Sequence, residues 1–153
     1  PPPRSTPRIA MESLETFVVG TREANDPTAA AFAHALYGAI AGGDLGDWTT
    51  ARRRFIQAAK LKPYVGAWRG LLGVANAALC CGDRPEPGHG DPAANFARSL
   101  SLEPGDLSAL RNLDSFLGVL NVMNAEGRAP RGVNVENLAQ RRQAVERAAR
   151  QQR

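Results

Sequence analysis

The chain has 153 residues, a formal charge of +4 and a composition that is 43% hydrophobic and 22% charged. That length suits one domain, or one small array of repeats, with a real core. No apolar run approaches a bilayer-spanning length, and two adjacent cysteines, Cys80 and Cys81, are too few for a disulfide framework or a structural zinc site. Arginine far outweighs lysine, which occurs only as Lys60 and Lys62. Gly, Pro, Ala and Arg all have GC-rich codons, so this bias needs no functional cause. The basic excess is local: residues 126–153 carry seven basic groups against three acidic ones.

In chain order, residues 1–10 read as a Pro/Arg-rich arm, extended and mobile. The arm suits the end of a cleaved organelle-targeting peptide; a leader or a trimmed end ahead of Met11 fits equally. From Met11 to about Ala24, Leu14, Phe17, Val18 and Thr21 recur at helical spacing. Asn25-Asp26-Pro27 ends that helix and opens Thr28–Ala41, because Asp caps and Pro is tolerated in a first turn. Phe32, Leu36, Tyr37 and Ile40 are expected to form its stripe. Asp47 caps Trp48–Leu61, whose face is Trp48, Ala51, Phe55, Ala58 and Ala59, with most of Arg52-Arg53-Arg54 off it. Pro63 stops it. Val65–Leu79 turns Trp68, Leu71, Leu72 and Ala75 inward. The Gly/Pro-rich stretch 82–90 is a loop. Asp91-Pro92 starts a short helix, Ala93–Leu102, packing through Phe96, Leu100 and Leu102. Leu107–Asn124 follows with Leu110, Leu113, Phe116, Leu117 and Leu120, and Asn134 caps a last helix to Arg153. No segment alternates as a strand does, so the class is all-α.

Self-comparison adds a period. In Gly46–Pro63, a small residue at Ala51, an aromatic at Phe55, a small residue at Ala58 and Pro63 follow at intervals of 4, 3 and 5. This resembles the second half of a tetratricopeptide repeat (TPR). The physical sense is that small residues let helices approach, the ring fills the remaining gap, and Pro ends the helix. Ala94–Pro104 repeats the pattern, with Phe55 to Phe96 and Pro63 to Pro104 both 41 positions apart. A 34-residue repeat with a seven-residue insertion gives that spacing, and the insertion falls at 82–91. Trp68-Arg69-Gly70-Leu71-Leu72-Gly73 resembles the family's Trp-x-x-Leu-Gly opening with one residue too many. Asp114 stands where the family prefers Gly or Ala. The resemblance implies a short α-solenoid of antiparallel helix pairs, about three pairs plus an N-terminal helix. It would occupy residues 11–124, followed by a loop and basic helix at 125–153.

The resemblance also implies a concave groove lined by first helices, in proteins that mostly bind partner peptides or helices. Arg69, Asn76, Arg111 and Asn112 are the groove-facing candidates. An Arg pair there suits an acidic peptide, helix or C-terminal carboxylate, because guanidinium donates to carboxylate in bidentate fashion. No first helix carries Lys, so the family's Lys/Asn/Arg clamp is incomplete. The second candidate is the C-terminal helix, with Arg141, Arg142, Arg147, Arg150 and Arg153 and a thin apolar face, suited to RNA phosphate, an acidic protein or an acidic membrane surface.

His34 and His89 have no metal-like partner nearby in sequence, and the cysteines read as packing residues, one buried and one half-exposed. Asp26, Asp47, Asp91 and Asp106 sit at caps. No catalytic constellation, metal site or cofactor motif emerges. The expected role is a noncatalytic interaction scaffold, a subunit or assembly factor of a larger complex. The alternative is an RNA-contacting subunit of a ribonucleoprotein such as an organellar ribosome. The expected compartment is cytoplasmic or organellar, not that of a disulfide-stapled secreted protein.

Overall fold

The computed structural model describes residues 5–21, 25–81, 91–103 and 105–128, together with 140, 143, 146, 147 and 150. Six helices are bounded: α1 (Thr6–Thr21), α2 (Pro27–Gly43), α3 (Trp48–Leu61), α4 (Gly66–Cys81), α5 (Pro92–Leu102) and α6 (Leu107–Ala125). The five remaining described positions, 140 to 150, are also helical. The described residues include no strand. None of their helices is long and apolar enough to cross a membrane. They form two compact units, Pro1–Tyr64 and Val65–Arg153.

The caps follow the sequence closely. Asp26, Asp47, Asp91 and Asp106 each accept a hydrogen bond from a backbone N–H in the first turn of α2, α3, α5 and α6, satisfying donors that have no helical partner. Gly46, at φ +69°, makes the reversal between α2 and α3 in a conformation that side chains disfavour. The first helix starts at Thr6, earlier than the sequence suggests, so residues 6–10 belong to α1 and not to an extended arm. Pro7 lies in the first turn, where its missing N–H removes no helical bond, and the Ile9 N–H bonds back to the Ser5 carbonyl.

In the first unit α2 packs against both α1 and α3. The stripe expected on α2 is reversed. Phe32 and Leu36 are 56% and 53% exposed, while Ala30, Ala31, Ala33, His34, Ala35, Gly38, Ala41 and Gly42 are buried. Volume overrides hydrophobicity here, because a helix wedged between two others needs small residues on its covered sides. Phe17 of α1, expected inward, is also largely exposed, whereas Met11 and Val18 are buried. The α3 face is as expected: Ala51, Phe55, Ala58 and Ala59 are buried. A Cβ placed on Gly38 would lie 2.7 Å from the Phe55 ring, and one on Gly42 would lie 2.5 Å from the Trp48 indole.

The second unit uses the same device. A Cβ on Gly73 would lie 2.6 Å from the Phe96 ring, and one on Gly66 would lie 2.9 Å from Glu103 and from the Ser99 carbonyl. As residue number rises along α4, the partner number falls along α5, so the two helices run in opposite directions. Leu113, Phe116, Leu117 and Leu120 of α6 close the core over Ala93, Phe96 and Leu100. The Phe96 and Phe116 centroids are 6.4 Å apart at 57°, a tilted aromatic pair worth about 0.5–1.5 kcal/mol beyond its burial. The end of α4's partner helix also caps α4. The Glu103 carboxylate accepts from Gly66 N–H at 3.0 Å, and Ser99 Oγ donates to the Gly66 carbonyl at 2.8 Å.

Two glycine substitutions separate packing from propensity. Alanine at Gly73 gains about 1 kcal/mol of helix propensity but meets the Phe96 ring, so the net effect should be a loss of about 1–3 kcal/mol. Alanine at Gly118, in mid-α6 with nothing within 4 Å of the new Cβ, should gain about 0.5–1 kcal/mol. Urea denaturation followed by circular dichroism checks both signs.

Candidate binding cleft

The second unit carries a cleft of about 290 Å³ between α4 and α6. Val74, Ala77, Ala78 and Cys81 supply one wall and Asn112, Ser115 and Val119 the other, with Phe96 and Phe116 also lining it. Each wall follows from helical periodicity, since residues three and four apart share a face. The small side chains on α4 leave the space open, and the tilted phenylalanine pair borders it. Phe96 therefore faces two ways: it packs on Gly73 and also borders the cleft. The lining is apolar apart from the Asn112 amide, the Ser115 hydroxyl and the sulfur of Cys81. Val119 on this wall and Val122, three residues further along α6, are exposed.

The four groove candidates do not converge. Asn112 lines the cleft. Asn76 is buried, and its amide nitrogen donates to Asn95 Oδ1 at 2.8 Å, so it joins α4 to α5 and does not face a ligand. Arg69 is half-buried on α4, and its buried Nε has no hydrogen-bond partner among the described residues. Arg111 is exposed on α6. Neither arginine belongs to the lining. Of the C-terminal group, Arg147 and Arg150 are helical and exposed, on the same side of their helix as exposed Gln140 and Gln143. Arg141, Arg142 and Arg153 lie outside the described residues, as do His89 and the 82–90 loop.

Sequence reasoning missed a second polar centre, in the first unit. The Arg54 side chain, 12% exposed, pairs with Glu15 of α1 at 2.7 Å. It reaches His34 Nδ1 of α2 at 3.2 Å and stacks over the Tyr37 ring at 3.9 Å. A guanidinium only donates, so His34 Nδ1 accepts and the ring proton sits on Nε2. One arginine thus ties three helices together, and the centre is structural. The nearest signal in the sequence is the Arg52-Arg53-Arg54 run, most of which helical spacing puts off the packed face. Cys80 and Cys81 are both half-buried and are joined to each other, unlike the expected pair of one buried and one half-exposed thiol. The described residues hold no cluster of His, Cys, Asp or Glu that could bind a metal ion.

No family model, curated protein or solved structure matches the chain.

Replacing Arg54 by Ala should destabilise the first unit by about 1–3 kcal/mol. The half-exposed Glu15 partner is discounted for solvent screening in that figure. Arg54→Lys should recover only part of the loss, because an ammonium cannot bond Glu15 and His34 while lying flat on Tyr37. Thermal unfolding of the three proteins reads the order wild type, Lys, Ala.

Proposed function

We propose that this chain is a noncatalytic helical-repeat scaffold, resembling the TPR family, that takes up an apolar helical segment of a partner protein. The observation that carries the reading is the cleft between α4 and α6. It is apolar, walled by small residues and floored by two phenylalanines held in a core. An amphipathic helix docks in such a groove by inserting side chains one turn apart. The recurrence of the ring-on-glycine seat in both units supports a repeat origin, and hence a short solenoid of helix pairs. An acidic peptide gripped by Arg69 and Arg111 is the weaker form of the idea, because neither arginine lines the cleft. A role within a larger assembly, as subunit or assembly factor, is in keeping with a cleft suited to another protein's helix.

A second reading, an RNA-contacting subunit, is favoured by the exposed Arg147 and Arg150 on one helix face. It predicts affinity that falls steeply with salt, with a log–log slope of about −0.7 per phosphate contacted on a single strand.

Selection of helix-forming peptides on the full chain tests the leading reading. Binders should carry apolar residues at i, i+3 and i+4. Ser115→Trp and Val119→Glu, both at exposed cleft positions, should weaken them by about tenfold or more with circular dichroism unchanged. Binders indifferent to both substitutions, or acidic binders lost with Arg69→Ala and Arg111→Ala, would overturn it.

A further inference from the structure

The Cys80–Cys81 pair has no role in the scaffold as described so far. A bond between neighbouring residues closes no length of chain, so it adds none of the loop-closure stabilisation that a structural disulfide supplies. Its position is more informative. Both residues are half-buried, so they are in reach of a small reductant. Both cysteines pack against the core cluster of the second unit, and Cys81, the last residue of α4, also lines the cleft. Successive residues of a helix point about 100° apart, so the two sulfurs meet only by turning toward each other across the last turn. The bond therefore fixes both side chains at once, including the one that lines the cleft.

We infer that Cys80–Cys81 is a reversible disulfide that sets the rigidity of the cleft wall, and that the oxidised chain is the form that binds. The inference rests on reading the cleft as the binding site. The chemistry is ordinary exchange with a dithiol reductant. A thiolate of the reductant attacks one sulfur, the S–S bond breaks, and the other cysteine leaves as thiolate and takes up a proton. The second thiol of the reductant then attacks the mixed disulfide and releases the remaining cysteine. Two electrons and two protons pass to the protein, and the reductant ends as its own disulfide. Once reduced, the Cys81 side chain regains rotation beside the cleft. A ligand must then immobilise a wall that the bond had already ordered, so it binds more weakly.

The experiment uses the full chain and an apolar fluorescent dye, anilinonaphthalene sulfonate, as the probe. Cys80 and Cys81 are the only cysteines, so thiol titration reads the pair directly. After equilibration with oxidised glutathione no free thiol should be found, and a dithiol reductant should release both. The dye should bind the oxidised form about fivefold more tightly than the reduced form, with the difference restored on reoxidation. Cys80→Ser should show the weaker affinity under both conditions. Ser115→Trp should weaken the dye in either redox state, which establishes that the dye occupies the cleft. Thiols that stay free under oxidising glutathione, or equal dye affinity in the two states while Ser115→Trp still weakens it, would overturn the redox inference alone. Dye binding untouched by Ser115→Trp would remove the cleft reading, and this inference with it.

Discussion

A phenylalanine ring can come within methyl distance of a helix only where that helix presents bare backbone. Both units meet this condition. Phe55 lies on Gly38 and Phe96 on Gly73, each so close that a methyl group would collide with the ring. Everything else in the packing adjusts to that approach. Alanines flank the contact on α2 and α3, and aspartate caps fix where α2, α3, α5 and α6 start. The same offset of 41 positions relates Phe55 to Phe96 and Lys62 to Glu103, the two C-cap residues of α3 and α5. Their N–H groups close equivalent bonds, to Ala58 and Ser99.

The contact also explains why there is a cleft at all. Phe96 is held from below by Gly73 and from the side by Phe116, so it cannot rotate to fill the space above it. The α4 residues around that space are Val74, Ala77 and Ala78, which are too small to fill it. A core built this way leaves an apolar hollow at its edge, and such a hollow favours burial of someone else's apolar side chain. Structure and proposed function therefore share one cause, and a change that loosens the ring should disturb both.

Helix positions and caps were legible in the sequence because they depend on local chemistry. Asp47 starts α3 and Leu61 ends it where the residues suggest, and Phe55 and Phe96 are buried as expected. The errors arise where a second helix decides. Phe32 and Leu36 look like a core stripe by hydrophobicity alone, yet α2 is covered by α1 and α3 and only alanine, glycine and one polar-anchored histidine fit there. Asn76 looks like a groove residue until Asn95 is placed across from it, and that register belongs to the helix pair, not to either helix. The cleft gave no signal of its own, since its α4 wall reads as an ordinary alanine-rich helix. Arg69 and Arg111 share a groove only in the register that the family resemblance implies, and the folded unit leaves both outside the lining.

Proton NMR of the full chain reads directly whether each ring sits on a glycine backbone. A hydrogen under the face of an aromatic ring is shifted upfield by the ring current, and it gives strong through-space contacts to the ring protons. With the rings seated in this way, an Hα proton of Gly38 and one of Gly73 should be shifted upfield and show such contacts, to Phe55 and Phe96 respectively, while the Hα protons of Gly118 do neither. Unshifted resonances at Gly38 and Gly73, with no contact to either ring, would contradict this seating.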